Sequence, residues 1–124
     1  MAMPFSPVPP DFGGALRVYH LLRQISRRHQ VTVLTYGTPE DAGRIRSEFD
    51  LQQVRVVAPT WKAARRRAGQ LFSTFTRHSF FQQSVAGGAF AAALDALLKE
   101  ERFDVVQTEF SHLGPFPLKT DALK

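Results

Sequence analysis

At 124 residues, 44% apolar and 22% charged, the chain has the composition of one globular domain, which argues against disorder and against two separate cores. It holds no cysteine, so disulfide frameworks and thiolate chemistry are excluded and a reducing compartment is the fitting one. The formal net charge of +5 is local: Lys62, Arg65, Arg66, Arg67 and Arg77 fall between Pro59 and Gln83 with no acid among them, and the remaining basic and acidic residues cancel.

The start, MAMPFSPVPP, has neither a basic n-region nor an apolar h-region, and no later segment approaches the ~20 apolar residues that span a bilayer, so a cytoplasmic product is expected. Prolines 4, 7, 9 and 10 and Asp11 then prevent regular structure as far as Phe12, where Gly13-Gly14 opens onto an amphipathic run. Pro4 to Arg17 therefore reads as a loop delivering the chain to a helix N-terminus. Paired glycines lack the Cβ atoms that hold a partner away, and the first helical turn carries unpaired N–H groups and the positive end of the dipole. Arg17, three residues past Gly14, can bring a guanidinium to the same place. Such a combination suits an anion, typically a phosphate, although a plain turn would use the same glycines.

Val18, Leu21, Leu22 and Ile25 recur at helical spacing and predict a helix from Ala15 to about Arg28, with Arg27, Arg28 and His29 suiting the negative end of its dipole. Val31 to Tyr36 is a β-branched run with little polar alternation, as in a strand covered on both faces of a parallel sheet. Thr38-Pro39-Glu40-Asp41 has the form of a helix start, which accounts for its paired acids better than acid–base chemistry does; the helix should reach Phe49. Val54 to Val57 predicts a further strand, with Arg55 marking a less covered face.

From Trp61 to Phe81 the apolar positions keep helical spacing while Lys62, Arg65, Arg66 and Arg67 take most of the remaining surface, and Arg77 adds to the patch. Three readings stay open: a solvated face over a packed one, an anionic membrane surface, or nucleic acid, the last disfavoured because the basicity is so local. Ala89 to about Glu101 predicts another helix through Phe90, Leu94, Leu97 and Leu98, and Phe103 to Thr108 a third strand. Glu109 and His112 follow it directly, where such a sheet presents its functional loop, although a capping or surface role would account for a lone carboxylate and a lone imidazole equally well. Alternation of this kind specifies an α/β domain with a doubly wound parallel sheet, whose ligands gather at the carboxyl ends of the strands.

No GxGxxG follows a strand, and neither GxxxxGK[ST] nor GxSxG occurs, so dehydrogenase, P-loop and serine-hydrolase readings fall. His20, His29, His78 and His112 show no metal-ligand spacing, and no metal and no cofactor are expected.

PFSPVPPDFGGALRVYHLLRQISRRHQVTVLTYG, from Pro4 to Gly37, and more loosely FDVVQTEFSHLGPF, from Phe103 to Phe116, resemble the N-terminal domain of a retaining glycosyltransferase of the group 1, or family 4, type. That family has the GT-B fold, two Rossmann-like domains facing across a cleft. The resemblance implies transfer of a sugar from a nucleotide-sugar donor, which is a substrate and not a cofactor, to an acceptor hydroxyl in polysaccharide or glycolipid synthesis. It implies that Gly13, Gly14 and Arg17 lie near the donor diphosphate in the cleft; Glu109, from its place after the third strand, is the candidate catalytic residue beside them. Family acceptors include lipid-linked sugars taken from the cytoplasmic face of the membrane, so the basic patch Lys62, Arg65, Arg66, Arg67 and Arg77 would serve peripheral attachment there.

The family also has an apolar strand before the proline-rich loop, where this sequence has Met1-Ala2-Met3. That strand is expected to be absent or a stub, leaving its two neighbours without a backbone partner. Residues 1–124 are expected to form an incomplete N-terminal domain without the glutamate-bearing second domain, and to be inactive alone. The alternative, from a different class, is a non-catalytic module that binds anionic membrane or nucleic acid through residues 61–81.

Overall fold

The computed structural model of the chain describes residues 1–58, 88–113 and 118–123, apart from the side chain of His112. The valine-rich run expected as a covered strand forms β2 (Thr32–Tyr36), buried along its whole length. It pairs in parallel on one side with β1 (Ala2–Met3) and on the other with β3 (Gln53–Val57), giving the order β1-β2-β3. Helices α1 (Gly13–Ile25), α2 (Pro39–Glu48) and α3 (Gly88–Glu100) and a 3-10 turn (Ser111–Leu113) complete the described elements.

Successive strand side chains point to opposite faces, and β2 uses both. Val31 and Val33 join Val18 and Leu22 of α1 and Ala42 and Ile45 of α2 in one core, which Met3 also enters. Leu34 and Tyr36 turn the other way, onto Phe90, Leu94 and Leu97 of α3. Phe90 is fully buried and stacks on Tyr36, ring centroids 4.8 Å apart. Helices therefore cover both faces of a parallel sheet, the Rossmann-like α/β arrangement predicted from the alternation of elements.

The start of α2 follows from its sequence. The Thr38 hydroxyl accepts from the Asp41 amide at 3.2 Å, and the Thr38 amide donates back to Asp41 Oδ2 at 2.7 Å, a capping box. The Thr38 hydroxyl also donates to Asp41 Oδ2 at 2.9 Å, and the two bonds to the carboxyl, the Thr38 amide's first and the hydroxyl's second, hold Asp41 below its ordinary range. The start of α1 differs from expectation. The Leu16 amide donates to the Phe12 carbonyl at 2.9 Å, so Gly13 and Gly14 are the first two helical residues rather than the end of the loop.

Met1-Ala2-Met3 does provide a strand, two residues long. Its Ala2 serves both neighbours: it pairs with Leu34, donates to the Gln107 carbonyl and accepts from the Glu109 amide, both at 2.8 Å. The expectation that the flanking backbone goes unpaired therefore fails at this level of the sheet. The Met1 amine donates to the Thr32 carbonyl at 2.7 Å, and burial pushes it down to about 6 against the pull of the Glu109 carboxylate. Phe103 to Thr108 is not a regular strand. It makes isolated parallel bridges, Thr108 with Ala2 and Val105 with Leu123, because β1 offers it one residue to pair against. Lys62, Arg65, Arg66, Arg67 and Arg77 lie outside the described residues. Among those described, no helix is long and apolar enough to cross a membrane.

Candidate functional site

The chain leaves β1 at the carboxyl edge of the sheet and runs through the proline-rich loop to the first turn of α1, while the 103–108 segment reaches the same edge and delivers Glu109. Three aromatic rings tie these pieces together. Phe5 packs edge-on against Phe12 at 4.7 Å and against Phe110 at 4.9 Å between centroids. Phe110 takes φ 71°, a left-handed conformation that costs a residue with a side chain about 1–3 kcal/mol and that clusters at functional sites.

The two glycines have different reasons. A Cβ at Gly14 would come within 2.8 Å of Phe12 and 2.9 Å of Phe110, so the aromatic cluster itself requires a bare backbone there. A Cβ at Gly13 would meet nothing within 4 Å, and this position opens onto free space. Neither glycine uses a positive φ. No side chain caps α1, and no hydrogen bond holds the amides of Gly13, Gly14 and Ala15 among the described residues. Ala15 is fully buried, so the donors that the first turn presents at the positive end of the helix dipole are those of exposed Gly13 and partly buried Gly14.

Arg17 lies one turn further on. Its Nη1 donates to Glu109 Oε2 in an ion pair, with the arginine side chain 63% exposed and the glutamate 2%. The other oxygen of Glu109 accepts from Gln107 Nε2 at 2.5 Å. The fold thus brings Gly13, Gly14, Arg17 and Glu109 to one edge, as free amides, an exposed cation and the buried carboxylate that anchors it. This arrangement can hold an anion between the helix turn and the guanidinium. His112 sits on the 3-10 turn just beyond.

Sequence reasoning missed Phe5, Phe110 and Gln107. Gln107 left a signal, because residues two apart on an extended segment share a face and Glu109 was already a candidate. The unusual φ of Phe110 left none.

At the opposite edge, where the strands begin, a groove of about 750 Å3 runs between Val31 and Thr32 on one side and Phe103 and Val105 on the other, rimmed by Arg28, His29, Glu101 and Arg102. Ligand chemistry in open α/β sheets belongs to the carboxyl edge, so this groove is not the candidate site. Among the described residues, no three His, Asp or Glu side chains gather closely enough to hold a metal ion.

Fold and site together define a Rossmann-like α/β domain with an open helix N-terminus at the carboxyl edge of its sheet. Comparison of the chain with protein-family models, with curated proteins and with solved structures finds no match in any of the three.

Proposed function

We propose that the chain is the N-terminal part of a retaining glycosyltransferase of GT-B architecture, acting on a nucleotide-sugar donor and a sugar or lipid-linked acceptor. The observation that carries this reading is that the unbonded amides of exposed Gly13 and partly buried Gly14 lie with exposed Arg17 at the carboxyl edge of a parallel sheet. A leaving diphosphate gains negative charge as the bond to the sugar breaks, so donors already aimed at it stabilise the transition state more than the ground state. Glu109, the catalytic candidate of the sequence, acts on the same centre through Arg17, whose guanidinium it anchors. A second domain would supply the remaining donor contacts, and attachment would be peripheral, at the inner face of the membrane.

Titration calorimetry of the chain with uridine diphosphate and with pyrophosphate tests the site. One helix turn and one arginine should give a Kd of about 1 mM, and Gly13→Val combined with Arg17→Ala should weaken it at least ~10-fold. Equal affinity in the double variant, or no binding by the wild type, would make the assignment wrong.

The second reading, a non-catalytic module, is favoured by one fact: the whole net charge of +5 equals the five basic residues between Pro59 and Gln83. Sedimentation with vesicles that contain acidic lipid tests it, and the diphosphate titration above, which this reading expects to show no binding at the first turn of α1, separates it from the first. Binding that ignores lipid charge and salt would sink it.

A further inference from the structure

Both oxygens of Glu109 are held and its side chain is buried. It is 2% exposed, Arg17 holds Oε2, Gln107 holds Oε1 at 2.5 Å, and its own amide is fixed to the Ala2 carbonyl at 2.8 Å. Each oxygen keeps a second lone pair, but at 2% exposure a substrate scarcely reaches either, so the carboxylate is placed to hold its two donors and not to take a proton. Arg17 is the opposite case. It is anchored through Nη1 and more than half exposed, so the rest of its N–H fork is open to a ligand. Gln107 and Glu109 flank Thr108, whose bridge to Ala2 sets the level at which both side chains leave the segment.

We infer that Gln107 and Glu109 are positioning residues arranged in series. Gln107 fixes the carboxylate of Glu109, Glu109 fixes the guanidinium of Arg17, and Arg17 meets an anion in a preset orientation. Glu109 moves no proton. The advantage is preorganisation: a long, rotamer-rich side chain is ordered before the ligand arrives, so binding does not bear that cost. The use of this series rests on the anion site proposed for the first turn of α1; its geometry does not.

The test reads Arg17 directly, by nitrogen-resolved NMR of the arginine side chains in the 124-residue chain, alongside calorimetry with pyrophosphate. In the wild type the Nη protons of Arg17 should be separately resolved, because the ion pair slows rotation of the guanidinium. Gln107→Met keeps length and every charge but removes the donor, and should merge those signals as Glu109→Gln does. Added to Glu109→Gln, it should change nothing more, since the two act through one path. Loss of one such hydrogen bond should weaken pyrophosphate binding by about 3- to 10-fold.

Unchanged Arg17 signals in a folded Gln107→Met chain overturn the inference, as does unchanged affinity with merged signals. If Gln107→Met does not fold, Gln107→Asn, which keeps the amide but shortens its reach, takes its place with the same expectations. Wild-type chain that shows the resolved Arg17 signals and their response but no pyrophosphate binding would remove the anion site and leave the positioning series standing. Binding that is equal in wild type and variant, with Arg17 unaffected, would do the reverse.

Discussion

Arg17, near the start of α1, and Glu109, 92 residues later, form an ion pair in which the cation is exposed and the anion buried. The pair closes the carboxyl edge of the sheet, joining the first helix to the segment that pairs with β1. Its two halves are not equivalent, and removing one is not the mirror of removing the other.

Arg17→Ala leaves a buried carboxylate with Gln107 as its remaining side-chain donor. The expected loss is about 1–3 kcal/mol, set by the stranded charge and reduced because water reaches the arginine side of the pair. Glu109→Gln in the same background removes the charge and should return part of that loss. Urea unfolding of both singles and the double measures it; strict additivity would show that the pair contributes nothing.

The adjacent glycines should respond with opposite signs. Gly14→Ala drives a methyl into the Phe12 and Phe110 rings at 2.8 and 2.9 Å, and although Phe12 is half exposed and can swing aside, Phe110 is held by Phe5. A net destabilisation of about 1–2 kcal/mol is expected. Gly13→Ala places its methyl in open space within a helical turn and should stabilise the chain by about 0.5–1 kcal/mol. Thermal melts of the two variants decide it by direction alone.

Thr38→Ala removes the hydroxyl that caps α2 and should cost about 1 kcal/mol. The pH dependence lies in its partner. Asp41 is held below its ordinary range when folded, so its contribution is present above the unfolded carboxylate pKa of about 4 and is lost as pH falls through the lower folded value. The gap in melting temperature between wild type and Asp41→Asn should therefore be constant from neutral pH to about pH 5 and close below about pH 4. A gap that widens in acid would contradict the capping role.

The Thr32 hydroxyl is buried at the strand-beginning edge with no hydrogen-bond partner among the described residues, although the residue is only 4% exposed. Thr32→Val keeps the branched shape and removes an orphan polar group. It should stabilise the chain by about 1 kcal/mol in urea unfolding. Destabilisation would mean that the hydroxyl finds a partner in solution.

What could be read from the sequence alone was whatever depends on neighbours in the chain. The capping box at Thr38 and Asp41, the buried run of β2, the stripes of α1 and α3 and the resulting cover on both sheet faces all rest on contacts a few residues apart or on the periods of helix and strand. The candidate residues Gly13, Gly14, Arg17 and Glu109 were legible for the same reason, each from its place relative to an element's end. What joins them was not.

The pairing of Arg17 with Glu109 and Gln107, the steric need for glycine at Gly14, the left-handed turn at Phe110 and the double service of Ala2 in the sheet were decided by tertiary structure. Each depends on residues tens of positions apart meeting in one register. Local propensity carries no information about such meetings: a two-residue strand and a lone glutamate look unremarkable until the fold supplies the partners that give them their roles.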